Sequence, residues 1–381
     1  MSKAVIGFCV ALTLAAGAVM DSTLSAQQPA PKTPAAKGPN ATPWPDAAGM
    51  AKRREEAQKL PLFQSNDVLA ITLIADFKAV NKDRNPNSTK LFPGKIEFQK
   101  DDKSTASLPI ELRTRGHVRR MYDICIFAPL RLELPKDQLA GTVFAGQHTL
   151  KLGTHCKDVG EYEQYVLREY AANKVLGALT PNALRLRLTM VTYMDAKEGK
   201  PMGKPHYGIL YEDNDDLAKR MDGRITEEAR LPFGRLDAKA LDFMMLFEYF
   251  IGNTDVSIFG NHNVHLVQNQ VGTIFPIPYD FDYSGLVNTA YAIPVAALGI
   301  GSVRERLYRG ACRNQADWEP LIAHFKDKRK DMEAVYDTVP NLNPGYKKDA
   351  LNYIDSFFKS FDKPDQIKKA LIDKCLKEGV M

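Results

Sequence analysis

The chain lacks three motifs that often mark chemistry: it has no Gly-x-Gly-x-x-Gly loop, no Gly-x-Ser-x-Gly elbow and no Cys-x-x-Cys pair. These absences remove the usual glycine cradle for phosphates, the nucleophile turn of a serine hydrolase and the close thiol pairs of a zinc site. No apolar run beyond the N-terminus approaches the roughly 20 residues that cross a bilayer as a helix, so no transmembrane segment is expected in the mature chain. Charge of one sign is scarce too. A net charge of +5 over 381 residues, with Lys and Arg interspersed among acids, points to no nucleic-acid partner.

The first residues carry a secretory pattern. Met1, Ser2 and Lys3 precede an apolar run from Ala4 to Met20, and Leu24-Ser25-Ala26 supplies small residues for cleavage before Gln27. Residues 1–26 therefore read as a signal peptide, and the protein as exported, periplasmic or extracellular. Pro, Ala, Lys and Gly dominate residues 27–49, a composition that buries too little apolar surface to offset its ordering entropy, so a flexible linker is expected. Four cysteines remain after cleavage, Cys125, Cys156, Cys312 and Cys375, an even number suited to disulfides in an oxidising compartment. Cys125 and Cys156 lie just outside strand-like segments of the same half of the chain and are the favoured pair; Cys312 and Cys375 are paired or free.

Residues 50–212 read as strand-rich. Val68 to Ala75, Lys95 to Gln99, Leu108 to Arg115, Leu130 to Leu134 and His148 to Leu152 carry the period-two alternation of half-buried strands, and suggest a mainly antiparallel sheet. Tyr162 to Leu179 switches to helical spacing, after which Leu184 to Tyr193 and His206 to Glu212 return to strand. Residues 213–381 are mostly helical. Leu241 to Ile251 is apolar around nearly its whole circumference and predicts a buried central helix ending at Gly252-Asn253, with further helices over Trp318 to Val335, Lys348 to Phe361 and Pro364 to Lys377. The fold class expected is α+β, a strand-rich N-terminal lobe with one inserted helix joined to a mainly helical C-terminal lobe.

Polar chemistry is concentrated between Asn253 and Asp282. The central helix runs into Asn253-Thr254-Asp255, then Asn261-His262-Asn263, a short strand from Val264, and Asp280-Phe281-Asp282. An Asn amide oxygen and one or two carboxylates on adjacent loops form an incomplete oxygen cage for a hard cation, leaving room for water and substrate phosphate. Asp255 could accept a hydroxyl proton. Taken singly, each of these residues could equally cap a helix or turn.

The order helix, Asn-x-Asp, His-Asn, strand, Asp-x-Asp resembles that of the spore coat protein H (CotH)-like secretory kinases, relatives of the protein-kinase fold. Upstream, Arg115-Gly116, the Leu130 to Leu134 strand, Leu150-Lys151-Leu152 and the Tyr162 to Leu179 helix follow the family's order over approximately residues 68 to 290. The resemblance implies a kinase-like two-lobe architecture with a site at the lobe junction. It implies that Asn263, Asp280 and Asp282 hold Mg²⁺ or Mn²⁺, that Asp280 and Asp255 are catalytic, and that Lys151, Glu169 and Arg115 bind ATP. Asp255 departs from the protein-kinase pattern, standing eight residues before Asn263 where that catalytic loop has five. Lys151 would pair with Glu169 or Glu163, with Arg113 and Arg115 as rival cations. His262 and His265, three apart, are a weaker zinc candidate, and Arg304, Arg306 and Arg309 a basic segment for an acidic substrate or a solvated face.

The leading reading is an exported phosphotransferase, a kinase using a nucleotide and Mg²⁺ or Mn²⁺ on an unknown protein or small-molecule acceptor. The alternatives are a pseudokinase-like module that binds without chemistry, and a metal-dependent phosphoester hydrolase at the same carboxylates.

Overall fold

The computed structural model describes residues 42–377, apart from positions 101 and 364. The signal peptide and residues 27–41 of the expected linker lie outside the described residues. Within the remainder of that linker, Asp46 accepts from the Gly49 backbone N–H and starts helix α1, Ala47–Gln58.

Seven strands make a closed barrel. They are β1 (Leu69–Ala75), β2 (Phe92–Gln99), β3 (Thr105–Thr114), β4 (Leu130–Glu133), β5 (Thr149–Gly153), β6 (Leu186–Asp195) and, after the two-residue β7 (Lys200–Pro201), β8 (His206–Tyr211). Neighbours run β1-β2-β3-β4-β5-β8-β6, antiparallel throughout, and a parallel pairing of β6 with β1 closes the ring with Leu69 opposite Thr189. Short helix α2 (Phe77–Lys82) follows β1.

Alternation in the sequence fills the interior. Ala106, Leu108, Ile110, Leu112 and Thr114 of β3 point inward while the residues between them face out, and Leu130, Leu132, Leu150 and Leu152 do the same on β4 and β5. Phe77 and Phe144 complete this core. Each such side chain contributes roughly 1.5–3 kcal/mol by leaving water, and truncating one, as in Leu132→Ala, would cost about 2–5 kcal/mol.

The two-lobe kinase-like expectation is therefore corrected. The strand-rich region is a closed, mixed seven-stranded barrel, not an open sheet forming one lobe of a pair, and the helices are secondary to it. Alternation fixes which face of a strand is buried, but it is silent on pairing partners, and the closing contact joins strands more than a hundred residues apart.

Helix α3 (Gly160–Leu179) lies on the outer wall of β6 and β8 and is buried on most sides, because α5 (Ala238–Ile251) and α7 (Arg329–Thr338) share its apolar cluster. Helix α4 (Asn214–Arg220) leads into a small antiparallel sheet of β9 (Gly223–Thr226), β10 (Val264–Asn269) and β11 (Ile274–Pro278). The expected Trp318 to Val335 helix is two, α6 (Gln315–Asp327) and α7, and α8 (Pro344–Ser360) follows. Over the expected Pro364 to Lys377 helix only a π-turn at Lys368–Ile372 is regular, since Leu376 instead bridges to Ala311.

Disulfides join Cys125 to Cys156 and Cys312 to Cys375. Both are compatible with an exported protein. Among the described residues no helix is long and apolar enough to cross a membrane.

Candidate functional site

Helix α5 ends at Gly252, whose φ of 68° is left-handed and whose missing Cβ leaves room for the Tyr353 hydroxyl. The chain then turns through Asn253, whose Oδ1 accepts from the Asp255 N–H at 3.0 Å. Arg309 braces this turn by donating to the Thr254 carbonyl at 2.7 Å. Asn263, itself left-handed at φ 56°, donates from Nδ2 to the Asp255 carbonyl at 2.7 Å and to its carboxylate at 3.0 Å. His262 meets the other Asp255 oxygen at 3.2 Å, a bond that raises the His262 pKa against the opposing effect of burial.

The β10–β11 hairpin brings the two halves of the constellation together. Val264 pairs with Pro278, and the Tyr279 N–H donates to the Asn263 carbonyl at 3.1 Å, so Asp280 emerges one residue beyond Asn263's partner. Asp280 turns through a left-handed φ of 64°, and Phe281 then anchors the strand end against Phe247 of α5.

Asp280 and Asp282 face an arginine from the β3–β4 loop. Arg119 reaches Glu169 of α3 at 3.2 Å, Asp280 at 2.9 Å and Asp282 at 3.4 Å. Tyr211 donates to Glu169 at 2.5 Å, and Tyr291 to Asp282 at 3.0 Å. Burial opposes the charge on Arg119, but the Asp282, Glu169 and Asp280 carboxylates outweigh it and hold the guanidinium protonated. Burial raises Glu169 and Asp282 above the usual carboxyl range, with Arg119 opposing, as expected where one cation faces three acids.

The cations opposite are less constrained. Lys151 on β5 donates to the Asn214 amide oxygen at 2.9 Å, and burial, then nearby Arg115, lower its pKa to about 8. Among the described residues Arg115 has no side-chain hydrogen bond or ion pair. Arg115, Arg119 and Asp280 line both a small hollow with Lys151 and Tyr279 and a wider cleft of about 170 Å³ with Asp255, His262, Asn263 and Asp282. Arg115, Arg119 and Asp280 are thus common to two adjoining hollows that make up the candidate recess, with Lys151 lining the first and Asp255, Asn263 and Asp282 the second.

No protein-family model, no curated protein and no solved structure matches this chain.

Some expected pairings take a different form. Glu169 is held by Arg119 and Tyr211 rather than Lys151, Glu163 accepts from the Tyr207 N–H, and Arg113 donates to the Ser88 carbonyl. His265 stacks on Tyr279 with ring centroids 4.0 Å apart, while His262 belongs to Asp255, so they do not form a zinc pair. Arg304 pairs with Asp349, and Arg306 and Arg309 hold backbone carbonyls. Sequence reasoning missed Arg119, Tyr211, Tyr291 and Asn214. Their only local signal was polarity, since none stands at a diagnostic spacing from the Asp280 segment.

For a hard cation, the donors differ in aptitude. Asn263 uses its amide nitrogen and keeps its oxygen free, and Asp280 gives one oxygen to Arg119, so these two suit an ion that also keeps water and phosphate oxygens. Asp282 is the poorer donor, because Arg119 and the Tyr291 hydroxyl share its Oδ2 and its side chain is only 7% exposed against 30% for Asp280. Among the described residues no three His, Cys, Asp or Glu side chains are grouped to hold a metal.

Proposed function

We propose that this recess binds the phosphates of a nucleotide and transfers a phosphoryl group to an acceptor hydroxyl, in an exported protein acting in a periplasm or outside the cell. The observation that carries the reading is the pairing of opposites. Two cations without carboxylate ion pairs among the described residues, Arg115 and Lys151, line adjoining hollows that share Asp280, and Asp255 lines the wider one with Arg115. The sequence order that resembles the CotH-like secretory kinases supports the same chemistry.

Arg115 and Lys151 would hold phosphate oxygens by charge-assisted hydrogen bonds. Asn263 and Asp280 would hold Mg²⁺ or Mn²⁺, which when bound supplies charge neutralisation at the phosphates. Asp255, oriented by Asn263 and His262, takes the proton of the attacking hydroxyl. The acceptor oxygen bonds to the γ-phosphorus as the bond to the bridging oxygen breaks, and the nucleoside diphosphate leaves with that electron pair.

A second reading, binding without transfer, draws on Arg119, whose grip on Asp280 and Asp282 removes carboxylate capacity from the site. One experiment separates the two. Mature protein is titrated with ATP and Mn²⁺, then assayed for phosphate incorporation into itself and into hydroxyl acceptors. Transfer abolished by Asp280→Asn is the expected result. Nucleotide bound without transfer would leave the module, and indifference to nucleotide would remove both.

A further inference from the structure

Two-metal phosphoryl-transfer sites draw on several carboxylates at once. Here three carboxylates converge on a guanidinium instead. We propose that Arg119 is the resident cation of the Glu169, Asp280 and Asp282 cluster, holding the three carboxylates spread around its guanidinium so that they do not close on a divalent ion of their own, and that the site takes at most one such ion, through Asn263 and Asp280. Only that single ion rests on the reading above; the role of Arg119 does not.

Three different nitrogens make the three contacts, Nη1 to Glu169, Nη2 to Asp280 and Nε to Asp282, so the planar group spans all three acids. A magnesium ion needs its oxygens about 2.0–2.1 Å away, which a guanidinium lodged among them prevents. The acids are also aimed from behind. Tyr211 holds the second oxygen of Glu169, and Tyr291 bonds Asp282 on the oxygen that meets Arg119.

Arg119 is fixed at its root as well. Arg84 donates to the carbonyls of Arg120, Cys125 and Ile126 at 3.0, 3.0 and 2.6 Å. The neighbouring Arg120 is buried and donates to the Thr114 carbonyl at 2.9 Å, and the Cys125–Cys156 disulfide ties the loop to the β5–α3 connection. A latch that swings out would need a free loop. This one is bonded on both sides of Arg119, so the guanidinium is a permanent part of the site, and Asp282 is a positioning residue for it.

The test counts ions rather than turnover. Equilibrium dialysis and Mn²⁺ electron paramagnetic resonance are run on the full mature chain, alone and with a non-hydrolysable ATP analogue. Wild type is expected to bind no more than one Mn²⁺ per chain, with the same number in Asp282→Asn. Arg119→Gln vacates the cluster and should gain one Mn²⁺, and Arg119→Lys, which restores a cation, should lose that gain. Two ions on wild type, a lost ion in Asp282→Asn, or a folded Arg119→Gln with no added ion would each overturn the proposal. If Arg119→Gln does not fold, the wild-type and Asp282→Asn counts still decide. No Mn²⁺ on wild type but one on Arg119→Gln would uphold Arg119 while removing the ion from the functional reading.

Discussion

Two buried carboxylates of this protein meet arginine in opposite ways. Glu212, fully buried after β8, receives two guanidiniums, from Arg185 at 2.7 Å and Arg220 at 2.7 Å. The same two guanidiniums also donate to backbone carbonyls, Nη2 to Ala57 and Ala183 and Nη1 to Gln58 and Pro181. At Glu169 the ratio is reversed, one guanidinium for three acids, beside a recess lined by Arg115, which among the described residues has no side-chain hydrogen bond or ion pair. The first network is closed: donors and acceptors match, and its work is to join α1, α4 and the barrel. The second is open, with acid in excess, and openness of that kind is what a site can use.

The sharpest way to break this contrast is at Asp255. Asp255→Asn keeps the size that His262 and Asn263 contact, so stability should hold while transfer falls roughly 10²–10⁴-fold, the usual worth of a general base. Radiolabel incorporation and a denaturant melt measure the two together. A melt that collapses with the activity would make Asp255 structural.

Glu212→Ala should do the reverse. Leaving two half-buried guanidiniums without their fully buried carboxylate is expected to cost about 3 kcal/mol in urea unfolding while nucleotide affinity, corrected for unfolded protein, stays put. A nucleotide effect without a stability loss would erase the distinction between closed and open.

Acid sensitivity offers a third cut. Glu169 and Asp282 have raised pKa values, so their protonation favours the folded state as pH falls, and they cannot drive acid unfolding. The stacked His155 and His206, 3.8 Å apart, can. Burial lowers His155 to about 3, so its contribution is complete above the unfolded histidine pKa of about 6.5 and is lost as pH falls from there toward 3. His155→Phe should flatten the decline in stability between pH 7 and 5; an unchanged slope would point elsewhere.

The smallest expected effect is at Lys151. With its pKa near 8, its charge is lost as pH rises through that value, so ATP binding by calorimetry should weaken between pH 7 and 9. Lys151→Met should lower affinity roughly tenfold at pH 7, about one charge-assisted hydrogen bond, and remove the pH dependence. A variant that keeps the wild-type profile would place the phosphates away from Lys151.

Local physics was legible in the sequence and long-range partnership was not. Leu130 to Leu134 and Tyr162 to Leu179 carry periods of two and near four that backbone geometry imposes, and β4 and α3 lie there. Asp255, Asn263 and Asp280 could be grouped because one hairpin joins them within a short stretch. Barrel closure, by contrast, depends on β1 finding β6, and nothing within either strand encodes the other. The same holds at Glu169. Its partner comes from a loop 50 residues upstream, where Arg119 sits in a basic pair with no motif, so a lysine on the adjacent strand looked the better match.

The most direct measurement is a crystal structure of the mature protein with a non-hydrolysable ATP analogue and Mn²⁺. Phosphates against Arg115 and Lys151, a single anomalous manganese peak between Asn263 and Asp280, and Arg119 still on Asp282 are the expected result. An analogue seated elsewhere, or an empty recess at saturating nucleotide, would contradict the phosphate-binding claim at its root.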